Sequence, residues 1–214
     1  MAMGLLGKKI GMTQVFGPEG GRFPVTVLEV GPCAVVRLKS EAGPDGYDAV
    51  VLGWGKGRRK RMNKPQAGLF EKAGIEPVAF LHEARVSADQ VAALEVGQSL
   101  DAALFSPGQR VDVVGRTKGR GYTGVIKRHN FAQPKMSHGT HEKFRHGGSL
   151  GSATTPGRVV LGRKMAGRYG NERVTVPNLL VVGVEADRNL VVVKGSVPGP
   201  NGRLIWIQNG AKQG

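Results

Sequence analysis

Between positions 115 and 173 the sequence carries 13 Lys and Arg, two acids (Glu142 and Glu172) and 12 glycines. Such a stretch cannot be taken into an ordinary core. Like charges at this density repel, and every glycine raises the entropy lost when the backbone is ordered. A loop of 59 residues with little regular content inside a compact fold is either functional or disordered. With a net +11 on it, the functional reading wins, and the segment needs a polyanion to neutralise it.

The other 155 residues hold 18 cations and 14 acids, so most of the chain's net +15 lies in about a quarter of its length. A second, smaller run, KGRRKRMNK at 56–64, adds Lys56, Arg58, Arg59, Lys60, Arg61 and Lys64 without an intervening acid. One such run alone is as readily a solvated face as a binding surface. Two separate clusters in one chain point to nucleic acid.

The flanks read as short strands. FPVTVLEV (23–30), CAVVRLKS (33–40) after Gly31-Pro32, YDAVVLGW (47–54) after PDG, PVAFLHEARV (77–86) and VDVVG (111–115) precede the basic segment. VTVPNLLVVGVEAD (174–187), NLVVVKG (189–195) and RLIWIQNG (203–210) follow it, and VEADRNLVVVKG predicts a hairpin turning near Asp187. KPQAGLFEKAG (64–74) predicts a helix with Pro65 in its first turn and Gly74 at its C-terminal cap; Ser87 caps a second short one. This spacing predicts a mainly β (α+β) fold, a closed or sandwiched antiparallel sheet. Neither flank is a complete core alone, so 1–114 and 174–214 are expected to form one discontinuous domain with a small α/β insertion over about 55–105. Residues 115–173 are then a long internal excursion from it.

Several motifs invite other functions. GRGYTG (119–124) has the letters of a dinucleotide-binding turn, but that site also needs a helix opening there inside a parallel βαβ unit. Its glycines, flanked by Arg116, Lys118, Arg120, Lys127 and Arg128, suit close approach to phosphates better. In HEKFRH (141–146) the histidines stand five apart, about 140° away from sharing a helical face, so no zinc-protease site is expected. No metal and no cofactor is expected at all. His129, His138 and His146, set among Lys135, Lys143 and Arg145, are read as hydrogen-bonding or stacking groups for RNA. Tyr122, Phe131, Phe144 and Tyr169 either stack on bases or make small apolar contacts of their own. Paired carboxylates, a nucleophile elbow and a P-loop are missing from the sequence, so no enzyme is expected. Apolar runs stop well short of the ~20 residues of a membrane span, and MAMGLLGKKIGMT lacks the form of a secretory leader. A single cysteine, Cys33, excludes an internal disulfide and suits a reducing cytoplasm.

GLLGKKIGMTQVF, PVTVLEV, DGYDAV, NKPQAGLFEKAG, VDVVGRTKGRGYTGVIKRHNF, GSLGSATTPGRV, GRKMAGRYGNERVTV and ADRNLVVVKGSVPG together resemble the universal family of third proteins of the bacterial large ribosomal subunit, over the whole length. The resemblance implies a β-barrel like the second domain of translation factors and an extension reaching toward the peptidyl-transferase centre. It implies direct binding to large-subunit rRNA near its 3′ end, early in assembly, beside other proteins of that subunit, in the cytoplasm; the RNA is the catalyst. Lys8 and Lys9 match the family's N-terminal basic pair. Arg116, Lys118, Arg120, Lys127 and Arg128 match the entry to the extension, His138-Gly139 its tip, and Arg158, Arg163, Lys164, Arg168 and Arg173 the returning arm. His146-Gly147 stands where the family often has a basic residue and Pro. Thr154 replaces a Gln that some members methylate, and His129 replaces a Trp found in some.

Overall fold

The computed structural model describes residues 3–17 and 20–210; the ends of the expected β domain, 1–2 and 211–214, lie outside the described residues. The chain divides into two compact units, one of 1–116 with 173–214 and one of Thr117–Glu172. In chain order the elements are β1 (Gly4–Phe16), β2 (Arg22–Val30), β3 (Cys33–Lys39), β4 (Ala49–Lys56), α1 (Lys64–Ala73), β5 (Val78–Arg85), α2 (Ala88–Ala92), β6 (Ser99–Leu100) and β7 (Arg110–Arg116). Then come β8 (Tyr122–Thr123), α3 (Val125–His129), β9 (Gly167–Arg168), β10 (Arg173–Glu185), β11 (Leu190–Lys194) and β12 (Leu204–Asn209). The protein is mainly β, and every strand pair is antiparallel, as the strand spacing predicts.

In the larger unit six strands pair in the order β1-β12-β7-β10-β11-β2, and β2 returns to β1, so the ladder closes on itself. Alternation drives this. On β11, Val191 and Val193 point inward and are fully buried, while Leu190 and Val192 are half-buried on the other face. Leu5, Leu28, Val111, Val113 and Ile207 meet them at 0% exposure, each burial contributing about 1.5–3 kcal/mol. β1 is not evident from propensity because Gly4, Gly7 and Gly11 interrupt it. The structure explains two of these: a Cβ at Gly4 would lie 2.4 Å from the Ile207 carbonyl oxygen on β12. A Cβ at Gly7 would lie 2.4 Å from the Glu29 carbonyl oxygen, so β1 and β2 approach as closely as they do only with glycine there.

A second sheet, order β5-β4-β3-β6, shares the core: Cys33, Val35, Val50 and Leu52 belong to the same buried cluster as Leu5, Val113 and Ile207. Between ring strands β2 and β7 the chain runs through this second sheet, which begins at Cys33. Alternation identifies β3 and β4 as strands but does not say which sheet they join. The chain leaves β2 through Gly31 (φ +78°), whose N–H donates to the Leu6 carbonyl at 3.1 Å. The helix α1 forms where expected, with Phe70 buried and Gly74 in the left-handed conformation (φ +65°) closing it. Ser87 N–H donates to Gln90 Oε1 at 3.3 Å at the start of α2. No helix among the described residues is long and apolar enough to cross a membrane.

Candidate nucleic-acid interface

The basic segment leaves and re-enters the ring at one register position, where Arg116 on β7 lies directly opposite Arg173 on β10. Inside the smaller unit, Thr117 N–H donates to the Glu172 carbonyl at 3.0 Å and Glu172 N–H to Thr117 Oγ1 at 3.2 Å. Arg120 and Tyr169 continue the ladder (Arg120 N–H to Tyr169 O, 2.9 Å; Tyr169 N–H to Gly121 O, 3.0 Å), and β8 pairs with β9. The two sides are pressed together at Gly170 (φ +74°), where a Cβ would sit 2.1 Å from the Lys118 carbonyl oxygen. Glycine here serves close backbone packing.

Beyond this paired base, regular structure is brief: α3 is a single turn, and His141–Lys143 is a 3-10 turn. Of all residues in Thr117–Glu172, only Thr123 and Val125 are buried. Two buried side chains cannot offset the entropy of ordering some fifty residues, so packing alone does not fix the segment. Its cations are turned to solvent. Lys118, Lys127, Lys135, Lys143, Arg145, Arg158, Lys164 and Arg168 are exposed, and among the described residues no Lys or Arg of this unit pairs with a carboxylate. Three arginines are held by neutral groups instead. Arg120 lies over the Tyr169 ring (4.8 Å), Arg128 Nη1 donates to the Met165 carbonyl (2.9 Å), and Arg163 donates to the Ser149 carbonyl. Such contacts orient a guanidinium without cancelling its charge.

His129 Nε2 lies 3.1 Å from the Met165 carbonyl and so donates to it, while His138 and His146 are exposed. Tyr122 is 78% exposed; Phe131, Phe144 and Tyr169 are half-buried. After GRGYTG a helix does open, which the sequence did not suggest, but it has five residues and the preceding strand pairs antiparallel, not within a βαβ unit. His138, His141 and His146 do not gather, and among the described residues no three His, Cys, Asp or Glu could hold a metal ion.

The smaller basic run covers the end of β4, a 3-10 turn at Arg59–Arg61 and the start of α1. Lys56, Arg58 and Arg61 line a cleft of about 650 Å³ with Met62, Phe70 and Phe80, whereas Arg59 pairs with Glu71 and Lys60 and Lys64 face solvent. At the N-terminus Lys8 pairs with Glu29 at 3.3 Å, both half-exposed. Exposed pairs of this kind are worth about 0–1 kcal/mol. Lys9 is placed differently: it is 6% exposed, and its ammonium donates to the carbonyls of Val197 (2.9 Å) and Gly199 (3.3 Å), so it is engaged within the fold. Arg203, by contrast, lines one pocket with Arg116 and Arg173 although it lies outside both charge clusters, which is why charge density along the chain misses it.

A closed β ring carrying a long, solvent-facing cationic segment has the chemistry of a polyanion-binding protein. Comparison with known proteins narrows this class. Residues 87–188, which include the whole smaller unit, match the family model for Ribosomal protein L3. The chain is 51% identical over 212 residues to Large ribosomal subunit protein uL3 of Pelotomaculum thermopropionicum, covering 99% of each chain. Over 209 residues it is 49% identical to the same-named protein of Acidothermus cellulolyticus, covering 98% of this chain and 93% of that one. The chain belongs to the ribosomal protein L3 family.

Proposed function

We propose that the chain is a structural, non-catalytic constituent of the large ribosomal subunit that binds large-subunit rRNA directly. What carries the reading is the set of cations in 117–172, all exposed but the half-buried Arg128 and, among the described residues, without carboxylate partners, on a backbone too sparsely packed to fix its own form. The names of the relatives, each a large ribosomal subunit protein, support the particle. In this reading the six-strand ring is a translation-protein type barrel that docks near the rRNA 3′ end and helps nucleate assembly among neighbouring subunit proteins. The segment 117–172 is its extension, threading between RNA helices toward the peptidyl-transferase centre, with its final order supplied by the complex.

The binding set comprises Lys8, the 56–64 cations and the arginines, lysines and histidines named for 116–173; Lys9 is left out. Each phosphate neutralised releases condensed counterions and steepens the log–log salt dependence by about 0.7–0.9. If a third of the 19 cations in the two clusters touch phosphate, the slope is about −5. Footprinting on large-subunit rRNA in the presence of excess unrelated structured RNA tests this. Protection of discrete sites near the 3′ end that survives competitor is expected. Equal affinity for any structured RNA would make the chain a general RNA binder instead.

A further inference from the structure

Phe80 and His82 on β5 and Trp206 on β12 line a cleft of about 470 Å³, within the range of ~300–1,000 Å³ typical of small-molecule sites. The His82 and Trp206 rings lie 4.2 Å apart and tilted by 40°, forming one wall, and Phe80 stands 45% exposed at the mouth. Arg116, Arg173 and Arg203 line the same cleft. Two of them, Arg116 and Arg173, are directly opposed across the β7–β10 ladder. Arg173 has no carboxylate partner among the described residues. Burial, and after it the charge of Arg173, hold the His82 imidazole below its usual titration range, so at neutral pH it presents an uncharged ring.

Aromatic walls with a triad of arginines at one site match one ligand chemistry: a flat base joined to a phosphate. We propose that this cleft takes a single unpaired nucleotide of the large-subunit rRNA, its base stacked on Phe80 against His82 and Trp206 and its phosphate held by Arg173, Arg116 and Arg203. The proposal rests on the rRNA-binding reading above and adds a base-accepting site in the ring unit, outside the glycine-rich segment. Phe80 also lines the neighbouring cleft with Lys56, Arg58 and Arg61, so the cations of the 56–64 run lie on the path of the adjoining backbone phosphates. The strand can thus cross both clefts, with the phenyl ring between them.

The test uses the full chain and a transcript of the 3′ portion of large-subunit rRNA. Phe80→Leu keeps an apolar side chain but removes the ring, and loss of one stacked base should weaken binding roughly ten-fold with an unchanged salt slope. Arg173→Gln should flatten that slope by about 0.7–0.9. A reading on the unaltered chain is independent of any variant: ultraviolet cross-linking of the complex should attach a nucleotide to Phe80, His82 or Trp206. If the wild-type chain selects the rRNA while Phe80→Leu binds equally well and no cross-link falls in Val78–Arg85 or Leu204–Asn209, the cleft assignment fails alone. If the wild-type chain does not select the rRNA over competitor, the broader reading fails and the cleft with it. Free AMP or GMP binding more tightly than the transcript would assign the cleft to a mononucleotide, and shielding of Phe80 by a neighbouring protein in the assembled subunit would assign it to protein; both overturn the proposal.

Discussion

Replacing Lys9 by Met separates a structural lysine from an RNA-binding one. The side chain is 6% exposed and its ammonium donates to two carbonyls, Val197 O and Gly199 O, at 2.9 and 3.3 Å. These bonds tie β1 to the loop that precedes β12. Met preserves the apolar stem but leaves both carbonyls without this donor. Hydrogen bonds from a charged donor contribute about 1.5–3 kcal/mol each. Part of that is returned because the buried ammonium no longer has to be desolvated. A net loss of about 2–3 kcal/mol is expected, which for a chain of this size lowers Tm by about 4–12 °C. Thermal melting followed by circular dichroism measures it, and an rRNA salt titration on the same variant should show an unchanged slope. An unchanged Tm with a slope flattened by about 0.7–0.9 would place the ammonium on phosphate and refute the structural assignment.

Arg163→Ala with Lys164→Ala should weaken rRNA binding and flatten the salt slope by nearly one unit for each phosphate that is no longer neutralised, read by filter binding from low to moderate salt. Gly170→Ala should cost more than about 1 kcal/mol locally, because φ is +74° and the new methyl meets the Lys118 carbonyl; faster hydrogen exchange at the Arg120 and Tyr169 amides reports it. The Cys33 thiol, pushed by burial from its ordinary value near 9.0 up to about 12, should resist alkylation at pH 8 until the protein unfolds. Because the folded state keeps a proton that the unfolded chain gives up, this residue's contribution to stability is full below about pH 9 and declines as pH rises toward about 12. Denaturant titrations should show that decline reduced in Cys33→Ser.

Much of the fold is legible because period-2 alternation survives wherever one strand face is buried. β2, β7, β10, β11 and the hairpin through Ala186–Arg188 all follow from it, and α1 from Pro65, Phe70 and Gly74. β1 is not legible that way, since its glycines answer to a neighbouring backbone that only the fold brings near. The sheet to which β3 and β4 belong is equally hidden, because alternation records burial and not the pairing partner. Charge density reveals the basic segment but not the fate of single cations. Lys9 sits in a basic pair like Lys8, yet one is enclosed by carbonyls and the other meets solvent. The aromatic cleft leaves no local trace, for Phe80, His82 and Trp206 each read as ordinary strand residues and meet only across 124 positions of chain from His82 to Trp206.

Hydrogen exchange of the full chain, free and bound to large-subunit rRNA, bears on the proposal that Thr117–Glu172 takes its order from RNA. Amides of the ring strands should exchange slowly in both states, while those of 125–165 exchange near the unstructured rate in the free chain and become protected in the complex. Protection of that segment as strong in the free chain as in the ring, or no gain of protection on the rRNA, would contradict the proposal.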